Sequence, residues 1–440
     1  MSDLFGIGTS ALRAYRTAMA ATSENVANSE TVGFARRTAT IKEGPINNET
    51  GYVDFGGSRP STVTRSWDRF VAAHTRTASA NAEQADVRQS WLQRIENSFD
   101  DGAAGVGTSI TALFNAGERL AADPTSSAGR AIFTTAMAST ADAFRRTSTA
   151  LSAVDENITI ATDAEVNAVN NAMAALSNVN AALRTAAVGS TSRASLEDER
   201  DRQIGLVMDS LGGSFSLSSF GTATIEVDGF PVVQEGVESR LRVQRADDGT
   251  LSFTATSDLG TQAIAPSTGR LAALGESVVA VRRQQDLLDD LAIDTATLFN
   301  DWSAAGRTDA GTAGGALFSA TGAASMAALT SNSADLALAS SAGVNNGNLL
   351  DLPALRAANP VETRWATLVT DNAQALASAK AHATSSAGLR TNAIAELDSV
   401  TGVDLDTEAA NLMRYQQAYN GAARIVQVAK DTLDSILALF

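Results

Sequence analysis

The sequence predicts a mainly α-helical, elongated, multi-domain fold with one small β insertion and paired N- and C-terminal coiled-coil helices. Three observations predict it. Apolar or small residues near the C-terminal end fall at Leu412, Tyr415, Tyr419, Ala422, Val426, Ala429, Leu433, Ile436 and Phe440, in unbroken steps of 3 and 4, the period of a coiled-coil seam. The N-terminal end answers at Phe5, Gly8, Leu12, Tyr15, Met19, Thr22 and Val26 with the same steps. Between them, helical periodicity dominates except at residues 212–268, where apolar and polar residues alternate. The two seams have two readings: a contact between copies of the chain, or the completion of an intramolecular bundle.

The elements follow in order. Residues 3 to about 28 form one helix, which at 1.5 Å per residue is roughly 40 Å long. It ends at Asn25-Val-Ala-Asn28-Ser-Glu-Thr-Val-Gly33-Phe34, where Asn and Gly tolerate positive φ. From 38 to about 66, Gly44-Pro45, Gly56-Gly57 and Arg59-Pro60 punctuate Thr/Val-rich runs, which reads as extended segments and turns. A helix from about Trp67 to Phe99 places Phe70, Val87, Trp91 and Ile95 toward a core. A Gly-rich break leads to a short helix, Ile110 to Ala122, stopped by Asp123-Pro124. Ser126 or Ser127 caps the next helix, which runs to about Ala187, and another covers Leu196 to Leu211. Gly212-Gly213, Asp228-Gly229 and Asp247-Asp-Gly249 separate the strands of the β insertion. Helix resumes from Gly269 to about Trp302. Residues 306–348, rich in Gly, Ala and Ser, read as loop with short helical pieces. Two helices, Val361 to Val400 and Leu405 onward, complete the chain. The domains are therefore discontinuous: 1–40 with 402–440, a terminal coiled-coil domain; 41–211 with 269–401, an elongated helical bundle with short extended segments; and 212–268, a small β-rich domain.

Composition narrows the function. A net charge of −16 opposes nucleic-acid binding, which needs clustered Lys and Arg, and docking on an anionic membrane. No cysteine is present, so disulfides and thiolate chemistry are excluded. No run approaches 18 apolar residues, and the N-terminal segment lacks the basic leader and apolar core of a Sec signal. Only 5% of residues are aromatic, which suits close helix packing.

Chemistry-bearing candidates each have a plainer alternative. Gly102-Ala-Ala-Gly-Val-Gly107-Thr108-Ser109 approaches a phosphate loop, but Thr108 stands where Lys is needed and a helix precedes it; a helix–loop–helix corner fits better. The two histidines, His74 and His382, fall in helices without the partners of a zinc site. The acidic runs Glu197-Asp-Glu-Arg-Asp201-Arg202 and Asp286-Leu-Leu-Asp-Asp290 would serve glycoside chemistry if two acids met in a cleft; on helices, alternating with Arg, they read as solvated faces. Arg36-Arg37 is a basic spot suited either to a neighbouring subunit's carboxylates or to solvent. The chain is read as no enzyme, with no cofactor and no metal.

Two segments carry a resemblance. Asn25-Val-Ala-Asn28-Ser-Glu-Thr31-Val-Gly33-Phe34-Ala-Arg36 resembles the N-terminal signature of bacterial flagellar rod, hook and hook-associated axial proteins. Gly402-Val-Asp-Leu-Asp-Thr-Glu-Ala-Ala-Asn411-Leu-Met-Arg414-Tyr-Gln-Gln-Ala-Tyr419 is similar to the hook–filament junction family within that superfamily. Val63-Thr-Arg65-Ser-Trp-Asp68-Arg-Phe70, Asp123-Pro124 with Arg130, Leu196-Glu-Asp-Glu-Arg200-Asp201 and Trp365-Ala-Thr-Leu-Val369 agree in order. The family commonly carries a larger β-rich outer insertion in its second half, for which residues 306–348 are too short.

The resemblance implies a structural component of the flagellum, an adaptor ring of about eleven copies joining hook to filament. Terminal helices would line the axial channel, the bundle would surround them, and residues 212–268 would be the outer domain. Implied partners are the hook protein, a second junction protein on the filament side, and an export chaperone on the C-terminal segment. The destination implied is extracellular, through the flagellar type III export apparatus. Assembly-interface residues are expected at Phe5, Leu12, Tyr15, Met19, Asn25, Val26, Asn28, Gly33, Phe34, Arg36, Leu412, Tyr415, Tyr419, Val426, Leu433, Ile436 and Phe440. A different rod or hook subunit is the alternative, and a secreted hydrolase a distant one.

Overall fold

The computed structural model describes residues 2–47, 53–99, 102–258 and 260–438. Helix α1 (Ser2–Ala27) leads into a long antiparallel hairpin, β1 (Arg37–Asn47) and β2 (Val53–Arg65), in register Arg37↔Arg65 through Thr40↔Thr62 with shifts further out. The expected short extended runs are thus one continuous ribbon. Helices α2 (Arg69–Glu96), α3 (Val106–Leu120), α4 (Ser127–Thr185) and α5 (Thr191–Leu211) follow. Asp68 caps α2 by accepting from the Phe70 and Val71 amides, and the predicted Ser126 caps α4 by accepting from the Gly129 amide.

Helix α4 has 59 residues, about 88 Å at 1.5 Å per residue. A compact domain of this chain length would have a radius of gyration of about 22 Å, so the molecule is necessarily elongated. One continuous stripe on α4 is buried, from Phe133 and Met137 through Leu151, Ile158 and Met173 to Leu183. Helices α3 and α5 pack along it, and strands of a β module meet its C-terminal half. β3 (Ser214–Leu217), β4 (Ala223–Val227), β5 (Phe230–Gln234) and β6 (Val237–Glu238) form one antiparallel meander. β7 (Arg240–Arg245), β8 (Leu251–Ser257) and β9 (Gly260–Ile264) form another. The β4–β5 turn carries positive φ at both Asp228 (52°) and Gly229 (74°), the conformation that Asp-Gly favours in a two-residue hairpin.

Two asparagines on α4 fasten this module. Asn180 donates to the Ala223 carbonyl and accepts from the Ala223 amide, both at 2.8 Å. Asn170 does the same to Leu241 at 3.0 and 2.8 Å. Each side chain replaces a missing strand neighbour, satisfying backbone groups that would otherwise be stranded at the sheet's border.

Helix α6 (Gly269–Ala305) returns along the bundle. Residues 306–348 are not an open loop. They hold a two-residue strand pair, β10 (Phe318–Ser319) and β11 (Ala327–Ala328), and bury Leu317, Phe318, Met326, Leu336 and Leu338. Asn300 accepts from the Leu317 and Phe318 amides and donates to the Phe318 carbonyl. Arg130 grips Asp309 through both terminal nitrogens, at 2.6 and 2.8 Å. Two short helices follow: α7 (Gly347–Leu350), which starts within the stretch expected to hold short helical pieces, and α8 (Leu352–Ala358), which lies outside it. They precede α9 (Val361–Thr401) and α10 (Leu405–Leu437).

One part of the core is aromatic. Phe299 lies 5.0 Å from Phe114, 6.4 Å from Trp302 and 6.0 Å from Phe318, centroid to centroid, tying α3, α6 and β10 together. Phe299→Ala is expected to cost about 3–5 kcal/mol, read as a lowered urea midpoint. Phe70 corrects an expectation: it is 72% exposed in the first turn of α2, with only the Arg69 guanidinium stacked on it. Val87, Trp91 and Ile95 do pack in the core.

Candidate assembly surface

Helices α1 and α10 lie side by side and antiparallel. The Arg36 amide donates to the Thr401 carbonyl at the exit of α1, just ahead of α10, while Gly8 near the start of α1 faces Ala422 and Val426. Approach is close there: a Cβ on Gly8 would sit 2.6 Å from Val426 Cγ2. Leu12, Tyr15, Met19 and Thr22 share that face and are buried or half-buried, as are Leu412, Tyr415, Tyr419, Ala422, Val426 and Ala429 on α10. Gly8→Val is expected to wedge the pair apart, costing about 1–3 kcal/mol locally. Limited proteolysis should then cut both terminal helices faster while leaving α4 protected.

The pairing stops short of the end of α10. Continuing the register set by Gly8, residues beyond about 430 run past the start of α1. Leu433 is accordingly 50% exposed, and Ile436 is exposed too. Phe5 and Val26, at the two ends of the N-terminal seam, are also exposed, as are Leu4, Ile425 and Val428. Phe440 lies outside the described residues.

A second face of α1 escaped the sequence reading. Ala11, Ala14, Ala18 and Ala21 are buried on the side toward the hairpin, where the Ser58 amide donates to Ser10 Oγ. Asn25 belongs to this face. It is fully buried, donating to the Arg37 carbonyl and accepting from the Arg37 amide, each at 2.8 Å. Both halves of its amide are thus spent inside the chain. Asn28 is half-buried and donates to the Glu24 carbonyl. Gly33 has φ +83° with open space around it, and Phe34 lies under the Arg37 guanidinium at 4.9 Å.

Behind the helix pair sits a charged joint. Arg37 on β1 pairs with Glu24 of α1 and, at 2.9 Å, with Asp198 of α5. Arg65 on β2 reaches Asp198 at 2.7 Å and Asp201 at 2.9 Å. Asp201 also takes Arg76 of α2 at 3.1 Å and Arg200 at 2.8 Å. Arg200 continues to the Gly221 carbonyl and Arg193 to that of Phe220, at the edge of the β module. Arg37 therefore meets carboxylates of its own chain, and the Glu197–Arg202 run divides: Glu199 and Arg202 form the expected local pair on the outer side, while its two aspartates are the inner half of the joint.

Burial and charge act differently on the two aspartates. For Asp201 burial pushes the carboxyl up, but Arg200, Arg65 and Arg76 together outweigh it and hold it below the usual range. For Asp198 burial prevails over Arg65 and Arg37 and leaves the carboxyl above its usual range, helped by the nearby charge of Asp201.

The two histidines line one groove between α2 and α9, with no third ligand beside them among the described residues. His74 is exposed on α2 with Glu396 at 3.6 Å, and His382 is exposed on α9. Asp289 accepts from the Ala323 amide. Among the described residues no group of three or more His, Asp or Glu side chains is placed to hold a metal, and no helix is long and apolar enough to cross a membrane.

A helix pair made from the two ends of the chain, joined to a long bundle, is the arrangement that the resemblance to flagellar axial proteins implies. Residues 5–34 match the "Flagella basal body rod protein" family, and residues 399–439 match "Flagellar basal body rod FlgEFG protein C-terminal". Residues 92–318, just over half of the chain, match "Flagellar hook-associated protein FlgK helical domain". The chain belongs to the flagellar hook-associated FlgK family. It is 23% identical to flagellar hook-associated protein 1 of Bacillus subtilis over 99% of this chain and 98% of that one. Against the Escherichia coli protein of the same name identity is 25%, over 77% of this chain and 63% of that one. Against that of Salmonella typhimurium it is 24%, over 55% and 44%. The solved flagellar hook junction protein FlgK from Burkholderia pseudomallei aligns with a TM-score of 0.49 and 18% identity, over 56% of this chain and 46% of that one.

Proposed function

We propose that the chain is a structural adaptor of the bacterial flagellum, copies of which form a ring of about eleven that joins hook to filament. The observation that carries this reading is the terminal helix pair: it leaves Leu4, Phe5, Ile425, Val428, Leu433 and Ile436 exposed on one slender element. Large apolar side chains gathered in this way mark an interaction surface. The helices would lie innermost, lining the axial channel, with the bundle around them and the β module outermost. Two helices held mainly by each other and one hairpin bury little area, so their ordering is completed as copies join. Before that, a chaperone on the C-terminal segment would keep the chain competent for the flagellar type III apparatus. Its neighbours would be the hook protein on one side and a second junction protein on the other.

The match across residues 92–318 favours this over a rod or hook subunit. A hydrolase reading loses its acids, since Asp198 and Asp201 are engaged by arginines. Deleting the gene in the host tests the proposal. Hooks without filaments, with flagellin lost to the medium, are expected. Missing hooks would assign the chain to the rod or hook, and intact flagella would overturn the proposal.

A further inference from the structure

One line of ion pairs crosses the bundle at a single level. Glu165 of α4 meets Arg270 of α6 at 2.8 Å, Arg270 meets Glu83 of α2 at 3.2 Å, and Glu83 meets Arg390 of α9 at 3.0 Å. The four helices therefore stand in a row, α4, α6, α2, α9, and heights along them can be compared. Arg88 and Gln84 of α2 reach Glu276 of α6 at 3.3 and 2.8 Å. Ser152 of α4 accepts from Gln285 of α6 at 3.5 Å. Ile160 of the antiparallel α4, between its two contacts with α6, thus lies level with Glu276, and so with Gln84 and Arg88.

The two ends of this row carry unlike surfaces at that level. Glu156, Ile160, Asp163 and Asn167 are exposed on α4, in steps of 3 and 4 that put them on one face. Between Thr147 and Leu183 this helix holds four carboxylates and no Lys or Arg. Asp155 and Glu165 are spent on Arg245 and Arg270, so the two that face outward are Glu156 and Asp163. At the other end, a groove of about 490 Å³ between α2 and α9 is lined by His74, Gln84, Arg88, His382 and Leu389, among others. Between Asp371 and Glu396, α9 holds Lys380, His382 and Arg390 and no carboxylate, a local reversal of sign on a chain of net charge −16. Leu389 is 60% exposed and Ile160 59%. We propose that the outer face of α4 in one copy docks in the α2–α9 groove of the next, Ile160 entering it toward Leu389 and Glu156 facing Arg88 and His382. The contact rests on the assembling role proposed above and names one of its interfaces. Within one chain α6 and α2 stand between the two surfaces, so it forms between copies. Copies in a ring whose axis runs along the bundle meet at equal heights, and these surfaces have equal heights. Complementary charge fixes the register, and a neutral imidazole also offers an N–H to a carboxylate. Two different patches make a heterologous contact, which propagates from copy to copy instead of closing as a dimer.

The absence of cysteine makes the test clean. I160C and Q84C are placed together in the full chain, produced in host cells alongside the wild-type chain, and bridged in isolated flagella with a short bismaleimide. A ladder at multiples of the chain mass is expected. Either single variant should give none, because a heterologous contact does not bring like positions together. I132C with Q84C should give none either, since Ile132, as exposed as Ile160, stands about 42 Å away along α4. Independently, E156R and R88E should each cut incorporation into flagella several-fold against the wild-type chain. The chain carrying both, which restores the pair with its signs exchanged, should regain it. Flagella that contain the I160C–Q84C chain without a ladder, or an equal ladder from the I132C control, overturn the contact while leaving the adaptor role standing. So does normal incorporation of E156R, or no recovery in the doubly reversed chain. Absence of the wild-type chain from flagella overturns that role, and the contact with it.

Discussion

Asp201→Asn is expected to lower folding stability by about 3–5 kcal/mol, because it removes one partner from a buried charge cluster and leaves the others. Arg65, Arg76 and Arg200 all point at this carboxylate, and their side chains are about as buried as its own. Without it, Arg37, Arg65, Arg76 and Arg200 share only Asp198 and Glu24. Arg76, whose basicity burial already lowers, keeps only the Phe215 ring beneath it at 4.2 Å. The pH profile identifies the cause. A carboxyl held below its unfolded value contributes stability that is present above that value and lost as pH falls through the folded one. Asp198 acts in the opposite sense: its raised carboxyl is costly when charged, and protonating it relieves that cost. Acidification from neutrality should therefore raise stability slightly at first, as Asp198 takes up its proton. Below about pH 4, the ordinary carboxylate range, the loss due to Asp201 should set in. Urea midpoints measured between pH 7 and 3 should fall steeply at the acid end for the wild type and less so for D201N. Parallel curves would mean that Asp201 contributes packing rather than charge.

The joint also shows where sequence reading reached its limit. The terminal seams were legible because their signal is local: steps of 3 and 4 place Leu12, Tyr15 and Met19 on one face whatever they touch. The opposite face of α1 was not, since Ala11, Ala14, Ala18 and Ala21 carry no hydropathic contrast, and only the hairpin's close approach gives them meaning. Asp198 and Asp201 looked solvated because their partners, Arg37, Arg65 and Arg76, lie more than a hundred residues away. Phe70 misled in the other direction, an apolar residue in a first helical turn that the bundle does not reach. The segment 306–348 reads as loop from its small residues, yet Leu317, Phe318, Met326, Leu336 and Leu338 form a core without any period. One signal was available and unused. Asn25, Asn180 and Asn300 interrupt buried helical faces, where asparagine is a poor helix former, and each proves to be clamped to the backbone of an extended segment. An asparagine within an apolar helical stripe is thus a marker of helix-to-strand docking.

Leu412→Asp and Leu433→Asp are both expected to abolish incorporation into flagella, for reasons the fold separates. Leu412 is half-buried on the face of α10 that meets α1. A carboxylate there loses the apolar burial of the leucine and must itself be hydrated, which forces the pair open. Circular dichroism should show lost helix, and hydrogen exchange should accelerate along α1 and α10 while α4 is unchanged. Leu433 lies beyond the reach of α1 and is 50% exposed, so an aspartate there costs the isolated chain less than about 0.5 kcal/mol. Its helicity and exchange should match the wild type. Loss of incorporation by L433D would then arise between copies, because nothing within the chain has changed. Normal incorporation of L433D with failure of L412D would confine the assembly seam to residues up to Ala429. Normal incorporation of both would mean that the apolar face of α10 serves the fold of one chain and no contact beyond it.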